Sequence, residues 1–227
     1  MEREIKNFEQ WNEEMAAKYN PDRYHRSRNL VIWGIEFLRT RAIMRFLDVR
    51  NGDSVIDLGC GAGNMLERIR VGRLWGVDLS KVLLATAAER LRGRGVGLRY
   101  GNVESLPAEV RNQRFDKIFS SEVLEHLERP ERMVAEICAI AKPTSRIVIS
   151  VPNEGVINGI KAFLRATGLI ALFPGISKKM DDEWHLWHMD LPLFRKFVSG
   201  KLEIIAMRRI PFRFLPIRYV FLLRPMF

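Results

Sequence analysis

At 227 residues, with 47% hydrophobic and 28% charged side chains, the chain can bury one full core and has the balance of a soluble protein. Two cysteines far apart, Cys60 and Cys138, give no disulfide framework and suit a reducing, cytoplasmic setting. No run reaches about 18 uninterrupted apolar residues and Met1-Glu2-Arg3-Glu4 holds no apolar signal core, so neither a spanning helix nor export is expected. The formal net charge of +10 is uneven: residues 201–227 hold six basic side chains against one acidic, and residues 155–180 hold four against none. Such surface can attract nucleic acid, anionic lipid or an acidic substrate, or be a solvated face without a partner.

In chain order, Phe8, Trp11, Met15 and Tyr19 fall at helical spacing before a break at Asn20-Pro21. A second helical run covers Leu30 to Leu47 and stops near Asn51-Gly52. Short β-rich runs then alternate with helices. The strands are expected at Ser54–Leu58, Leu74–Val77, Gly97–Tyr100, Phe115–Phe119 and Arg146–Val151, with helices at Met65–Arg70, Lys81–Leu91 and Pro130–Ala141. This alternation predicts a doubly wound α/β sheet of parallel strands. Val156 to Ile176 reads as an amphipathic helix, able to act as a lid, lie on a membrane surface or pack on the domain. Leu202–Arg209 and Ile217–Leu223, joined through a Pro-rich turn, predict an antiparallel hairpin at the sheet edge.

Chemistry concentrates where the predicted strands end. Val55-Ile56-Asp57-Leu58-Gly59-Cys60-Gly61-Ala62-Gly63-Asn64 reads as a buried strand turning through three alternating glycines. A dinucleotide site wants glycine five positions after the first, where this chain has Asn64. Asp57 would repel a phosphate but suits a cofactor with cationic groups. Asp78 follows Gly59 by 19 residues, suitable for accepting from ribose hydroxyls, though alone it could equally cap a helix. Asn102, in Gly101-Asn102-Val103-Glu104-Ser105-Leu106-Pro107, could hydrogen-bond adenine with Val103 against the ring, or simply turn the chain.

In order and spacing, VIDLGCGAG (55–63), WGVDLS (75–80), GNVESLP (101–107) and FDKIFSSEVLEHLERP (115–130) resemble the class I S-adenosylmethionine-dependent methyltransferases over about half the chain. The resemblance implies a Rossmann-like seven-stranded sheet and S-adenosylmethionine as cofactor. It places Asp57, Gly59, Cys60, Gly61, Gly63, Asp78, Leu79, Asn102, Val103 and Ser121 at the cofactor. Asn102 stands where the family more often has Asp, and keeps the acceptor oxygen. The expected organisation is a single methyltransferase domain, with a helical cover (1–50), a cofactor core (51–154), a substrate-side insertion (155–200) and a C-terminal hairpin (201–227).

The segment Ser120 to His126 should face the transferred methyl group, with His126 the candidate base because imidazole titrates near neutrality, or else an orienting residue of the loop. No metal is assigned; Glu122, Glu125 and His126 with His185 or His188 have the donor types for one. Trp184-His185-Leu186-Trp187-His188-Met189 reads as an acceptor mouth or a buried aromatic junction. Tyr19, Tyr24, His25 and Arg26 are candidates to close over the cofactor, with Arg26 pairing a carboxylate. The segment after the fourth strand lacks a Pro-Pro-aromatic sequence, and neither it nor Ser150-Val151-Pro152-Asn153 holds a cysteine. Nucleic acid is therefore disfavoured as acceptor despite the charge. The expected acceptor is a small, partly apolar molecule methylated on oxygen or nitrogen. A membrane-contacting insertion like that of quinone-biosynthetic O-methyltransferases is a further expectation from resemblance. RNA methylation and non-catalytic cofactor binding are the alternatives, and the oligomeric state is open.

Overall fold

The computed structural model describes residues 7–19, 29–168 and 183–226. Tyr24, His25 and Arg26, and the part of the expected amphipathic helix beyond residue 168, lie outside the described residues. Seven strands form one sheet: β1 (Ser54–Leu58), β2 (Arg73–Asp78), β3 (Gly97–Tyr100), β4 (Phe115–Ser121), β5 (Ala141–Pro152), β6 (Leu202–Pro211) and β7 (Pro216–Pro225). Their order is β3-β2-β1-β4-β5-β7-β6. Strands β1 to β5 pair in parallel, and β7 runs against both β5 and β6. The expected hairpin is present, with β7 inside the sheet and β6 at its edge.

Seven α-helices are described: α1 (Phe8–Tyr19), α2 (Leu30–Leu47), α3 (Lys81–Arg90), α4 (Ala108–Arg111), α5 (Pro130–Ile140), α6 (Glu154–Ala166) and α7 (Leu191–Val198). Their starts are chemically marked. The Asn29 side chain accepts from the N–H groups of Val31 and Ile32, Ser80 from Leu83, and Asp190 from Leu193. Strand residues alternate between two clusters, as a sheet covered on both faces requires. Ile56, Leu58, Ile118, Ile147 and Ile149 pack with Met133 and Ile137 of α5 and Phe194 of α7. Val55, Phe119, Val148 and Val220 pack with Ile43, Phe46 and Leu47 of α2.

Two expectations change. Met65–Arg70 forms only a single tight turn at Leu66–Arg68, because Ile69 is already extended and β2 begins at Arg73 after Gly72 at φ 90°. Helix α7 was not foreseen; its eight residues are brief for a periodic signal, yet Phe194, Phe197 and Val198 enter the core. The chain reverses sheet direction between β1, which leads to β2 and β3, and β4, which leads to β5. Ligands bind outside the carboxyl ends of strands at such a switch point. Asp57, Asp78 and Ser121 all sit at that edge.

Two glycines behave oppositely. A Cβ on Gly76 of β2 would lie 2.8 Å from Cys60 Sγ and 2.9 Å from Leu66 Cδ1, whereas one on Gly34 of α2 meets nothing within 4 Å. Gly76→Ala is expected to cost about 1–3 kcal/mol by overpacking. Gly34→Ala is expected to stabilise by about 0.5–1 kcal/mol, because alanine leaves the unfolded chain less backbone freedom. Urea unfolding of both variants checks the opposite signs.

Candidate active site

The glycine turn is tied to β2 by hydrogen bonds from the N–H groups of Gly59 and Cys60 to Val77 O, at 2.8 and 3.0 Å. Gly59, Gly61 and Gly63 all take positive φ, where a side chain costs about 1–2 kcal/mol. They differ in what they face. A Cβ on Gly59 would strike Val123 Cγ2 at 2.4 Å and one on Gly63 would strike Leu91 Cδ1 at 2.9 Å, while at Gly61 the nearest atom is 4.0 Å away. Gly59 and Gly63 are thus required by packing, and Gly61 faces open space.

Asp78 staples this turn. Its Oδ2 accepts from Gly61 N–H at 2.7 Å and its Oδ1 from Ser80 N–H at 2.8 Å. Burial raises its pKa, the two amides work against that, and the charge of Glu13 adds to it. Each oxygen keeps a further lone pair for a ligand hydroxyl. Asp57 differs. It is 2% exposed, its Oδ1 has no hydrogen-bond partner, and burial first, then the Asp78 charge, raises its pKa well above the carboxylate range. Cys60 is buried, and its thiol is pushed up by burial and by both aspartates.

Helix α1 covers this end of the sheet. Trp11, Met15, Ala16 and Tyr19 pack on Ala62, Leu83 and Trp184. Glu13 Oε1 accepts from Val82 N–H at 3.1 Å, and Glu13 Oε2 is buried without a partner. Sequence reasoning missed Glu13. Its signal was its place beside the apolar stripe of α1, but spacing does not say what the helix lies on. A cleft of about 260 Å³ remains beside it, lined by Glu9, Gln10, Glu13, Leu79, Lys81 and Tyr100. Tyr19 donates to Glu183 and stacks on Trp184 at 6.1 Å, which closes α1 onto the later segment.

Other sequence-picked residues are placed less directly. Asn102 Oδ1 accepts from Glu104 N–H at 2.8 Å, a local turn that leaves one lone pair and the amide nitrogen, and Val103 is buried in the core. Glu104 accepts from the N–H groups of Glu128 and Arg129, binding the loop after β3 to the loop after β4. Ser121 accepts from buried Arg39 of α2 and lies 3.1 Å from Ser150 Oγ, so it is held on the α2 side.

Beyond the turn lies a second cluster. Ligand atoms of Glu125, His126 and His185 lie within 4.8 Å of one another. His126 Nδ1 is 3.2 Å from Trp184 O, a contact that requires the ring to donate there and leaves Nε2 as an acceptor. Burial and the neighbouring His185 push its pKa down to about 3, so the ring is neutral at ordinary pH. His185 Nδ1 and His188 Nδ1 each lie 2.6 Å from an oxygen of buried Glu154. This Glu154 clamp was not read from the sequence. Glu125 is buried with Oε2 unpartnered, and burial followed by the Glu122 charge raises its pKa well above the usual range. Glu122, at φ 57°, turns away to Arg218 at 2.5 Å and Arg39 at 3.8 Å, and so leaves the cluster.

Residues 56–149 match the family described as a methyltransferase domain. The match runs from β1 to β5 and spans less than half of the chain. The chain is 32% identical over 127 residues to the ubiquinone biosynthesis O-methyltransferase of Methylococcus capsulatus, covering 54% of this chain and 53% of that one. It is 28% identical over 119 residues to phosphoethanolamine N-methyltransferase 2 of Caenorhabditis elegans, covering 51% and 27%. The chain spans about half the length, or less, of the curated relatives it matches. Among solved structures, magnesium protoporphyrin IX methyltransferase from Synechocystis, with bound SAH, aligns at TM-score 0.68 over 97% of this chain and 100% of that one, with 16% identity. That likeness concerns the fold.

S-adenosylmethionine, the methyl donor of that class, fits this site. Two buried carboxylate oxygens, Asp57 Oδ1 and Glu13 Oε2, lack donors, and the open side of Gly61 leaves room for a ligand. A cation with N–H donors answers the charge and the missing hydrogen bonds together. Because Asp57 is raised, the cofactor-free fold holds its proton more tightly than the unfolded chain. That contribution to stability is complete below the unfolded value of about 4 and is lost as pH rises through the raised value. Affinity for the cationic donor should rise over the same window. Asp57→Asn is expected to flatten the pH slope of cofactor-free melting and weaken S-adenosylmethionine binding about tenfold or more. Melting curves and calorimetry across pH check both; an unaltered pH slope would reject the assignment.

Proposed function

We propose that this protein transfers the methyl group of S-adenosylmethionine to an oxygen, or less favourably a nitrogen, of a small, partly apolar acceptor. One observation carries the reading. An acid-lined cofactor cleft lies beside a half-buried acceptor cluster of Glu125, His126 and His185, with Trp184 packed on both. The residues act as one unit. Asp57, Glu13 and the Gly61 side of the turn take the cationic part of the donor, and Asp78 and Asn102 the adenosine. Gly59, Cys60, Gly63, Leu79, Val103 and Ser121 shape the cleft around them.

Methyl transfer is an in-line displacement, so holding the nucleophile against the methyl supplies most of the rate. His126 Nε2 is an available acceptor for the hydrogen of an acceptor hydroxyl, and the unpartnered Glu125 Oε2 lies nearby to take the proton. Trp184 Nε1, buried without a partner, is a donor for a polar group on the acceptor. The same three side chains have the donor types to hold a divalent cation, and Glu154 would orient His185 as such sites require. That cation would lower the pKa of a bound hydroxyl. The O-methyltransferase relatives support oxygen as the acceptor atom, and the absence of a nucleophilic cysteine beside the cluster supports a small molecule over a pyrimidine carbon.

Contact with a membrane surface is part of this reading. Helix α6 leaves the active edge of the sheet with Lys161 and Arg165 on it and with Phe163 63% exposed. No helix among the described residues is long and apolar enough to cross a membrane.

The test is methyl release from labelled S-adenosylmethionine against a panel of catechols, phenols and amines. Glu125→Gln and His126→Ala are expected to lower kcat about 10²–10⁴-fold while binding of the demethylated cofactor is kept. Retained binding with no transfer to any acceptor would instead support a cofactor-binding role. A further expectation concerns metal removal. If the cluster holds an ion, chelation followed by gel filtration abolishes transfer and a single divalent metal restores it; full activity after chelation assigns the cluster to proton transfer alone.

A further inference from the structure

Arg39 is the first residue of α2 to be buried, and it reaches Ser121 and Ser150 at the carboxyl ends of β4 and β5. The two and a half turns before it therefore project past that edge. They carry Leu30, 81% exposed, and Val31, Trp33, Phe37 and Leu38, also exposed, with Trp33 and Phe37 stacked at 5.4 Å. The hairpin between β6 and β7 projects past the same edge, because Pro152 pairs with Arg218 there. At its tip Phe214 is 85% exposed and stacks on exposed Phe212 at 5.4 Å, with Leu215 beside them. Helix α2 packs against both β6 and β7, with Ile35 and Ile210 in the same cluster, which sets the two projections on one side of the sheet. Single exposed apolar residues mean little; two adjacent aromatic pairs with aliphatic neighbours on one rim mark an interaction surface.

Charge defines the partner. At the base of the tip a cleft of about 360 Å³ is lined by Met207, Arg208, Arg209 and Arg213, with no carboxylate in its wall. We propose that this rim docks on the surface of an anionic lipid bilayer. The Phe212, Phe214, Trp33 and Phe37 rings enter the headgroup boundary, and the three guanidinium groups of the cleft take a lipid phosphodiester. Aromatic rings favour that boundary, and arginine forks match phosphate geometry. Nucleic acid would also meet the arginines, but Leu30, Val31, Leu38 and Leu215 gain nothing from bases. A second copy packed symmetrically on this rim would bring two uncompensated arginine clusters together, which Coulomb repulsion opposes. The face includes the edge that carries the cluster of Glu125, His126 and His185, so docking would present the acceptor mouth to molecules dissolved in the membrane. This deepens the membrane contact proposed above and does not depend on methyl transfer.

Vesicle sedimentation of the full chain, with phosphatidylglycerol-containing and pure phosphatidylcholine vesicles, tests it. Binding is expected to the first and not the second, and to weaken at high salt. Each arginine should contribute about fivefold, so Arg208→Gln with Arg209→Gln and Arg213→Gln should lose about a hundredfold. Phe212→Ser with Phe214→Ser should lose binding while keeping the melting temperature and binding of the demethylated cofactor, since both rings are exposed. Absence of vesicle binding, or equal binding by the variants, overturns the proposal. So does binding of a labelled RNA oligonucleotide that the arginine variant alone abolishes, or concentration-dependent dimerisation that the phenylalanine variant alone abolishes. If cofactor binding also fails in the parent protein, the methyltransferase reading falls on its own, and the vesicle result stands or falls separately.

Discussion

The hydrogen bonds from Gly61 and Ser80 to the Asp78 carboxylate hold the rest of the site in place. They join a turn that no single strand could stabilise to the end of the neighbouring strand. Backbone amides that would otherwise be lost to solvent are satisfied on one side chain. The glycines permit the path, but the aspartate selects it. Burial first, and then the charge of the same carboxylate, raise Asp57 and Cys60, so one side chain contributes to both the geometry and the electrostatics of the cleft.

Two sets of buried charges lie close together and are treated differently. Around Ser121, Arg39 and Arg218 are matched by Glu36 and Glu122, which fastens α2 to β4 and β7. Around the glycine turn, Glu13 and Asp57 keep oxygens with no donor. The first set is a structural joint in which each carboxylate faces a guanidinium, although Arg39 Nε has no hydrogen-bond partner. The second is incomplete without a ligand, and an incomplete buried charge is costly enough that its retention indicates use.

The sheet was legible because β-rich runs alternate with helical ones, and Asp57, Asp78 and the glycines were legible because they sit at strand ends. Local patterns failed where the partner is distant in sequence. Nothing in the spacing of α1 says that Glu13 meets Val82, nor that Glu154 would clamp His185 and His188. Glu122 stands three residues before Glu125, which suggested a shared ligand set, yet its left-handed backbone sends it to Arg218. Asn102 reads as either an adenine contact or a turn residue, and its Oδ1 serves its own loop, as Asn side chains do. Met65–Arg70 has helical composition, but the strand beginning at Arg73 leaves no length for a helix.

The placement of β7 inside the sheet has a consequence for synthesis. The ribosome makes β6 before β7, yet β6 touches the sheet only through β7. Until β7 has emerged, β5 keeps an open edge of Ile147, Val148, Ile149 and Val151, and β6 has no strand to pair with. Exposed strands of that kind are sites of wrong pairing between nascent chains. During this interval helix α2, already made, covers one face of β5 through Ile43, Phe46 and Leu47 against Val148, and leaves its pairing edge open.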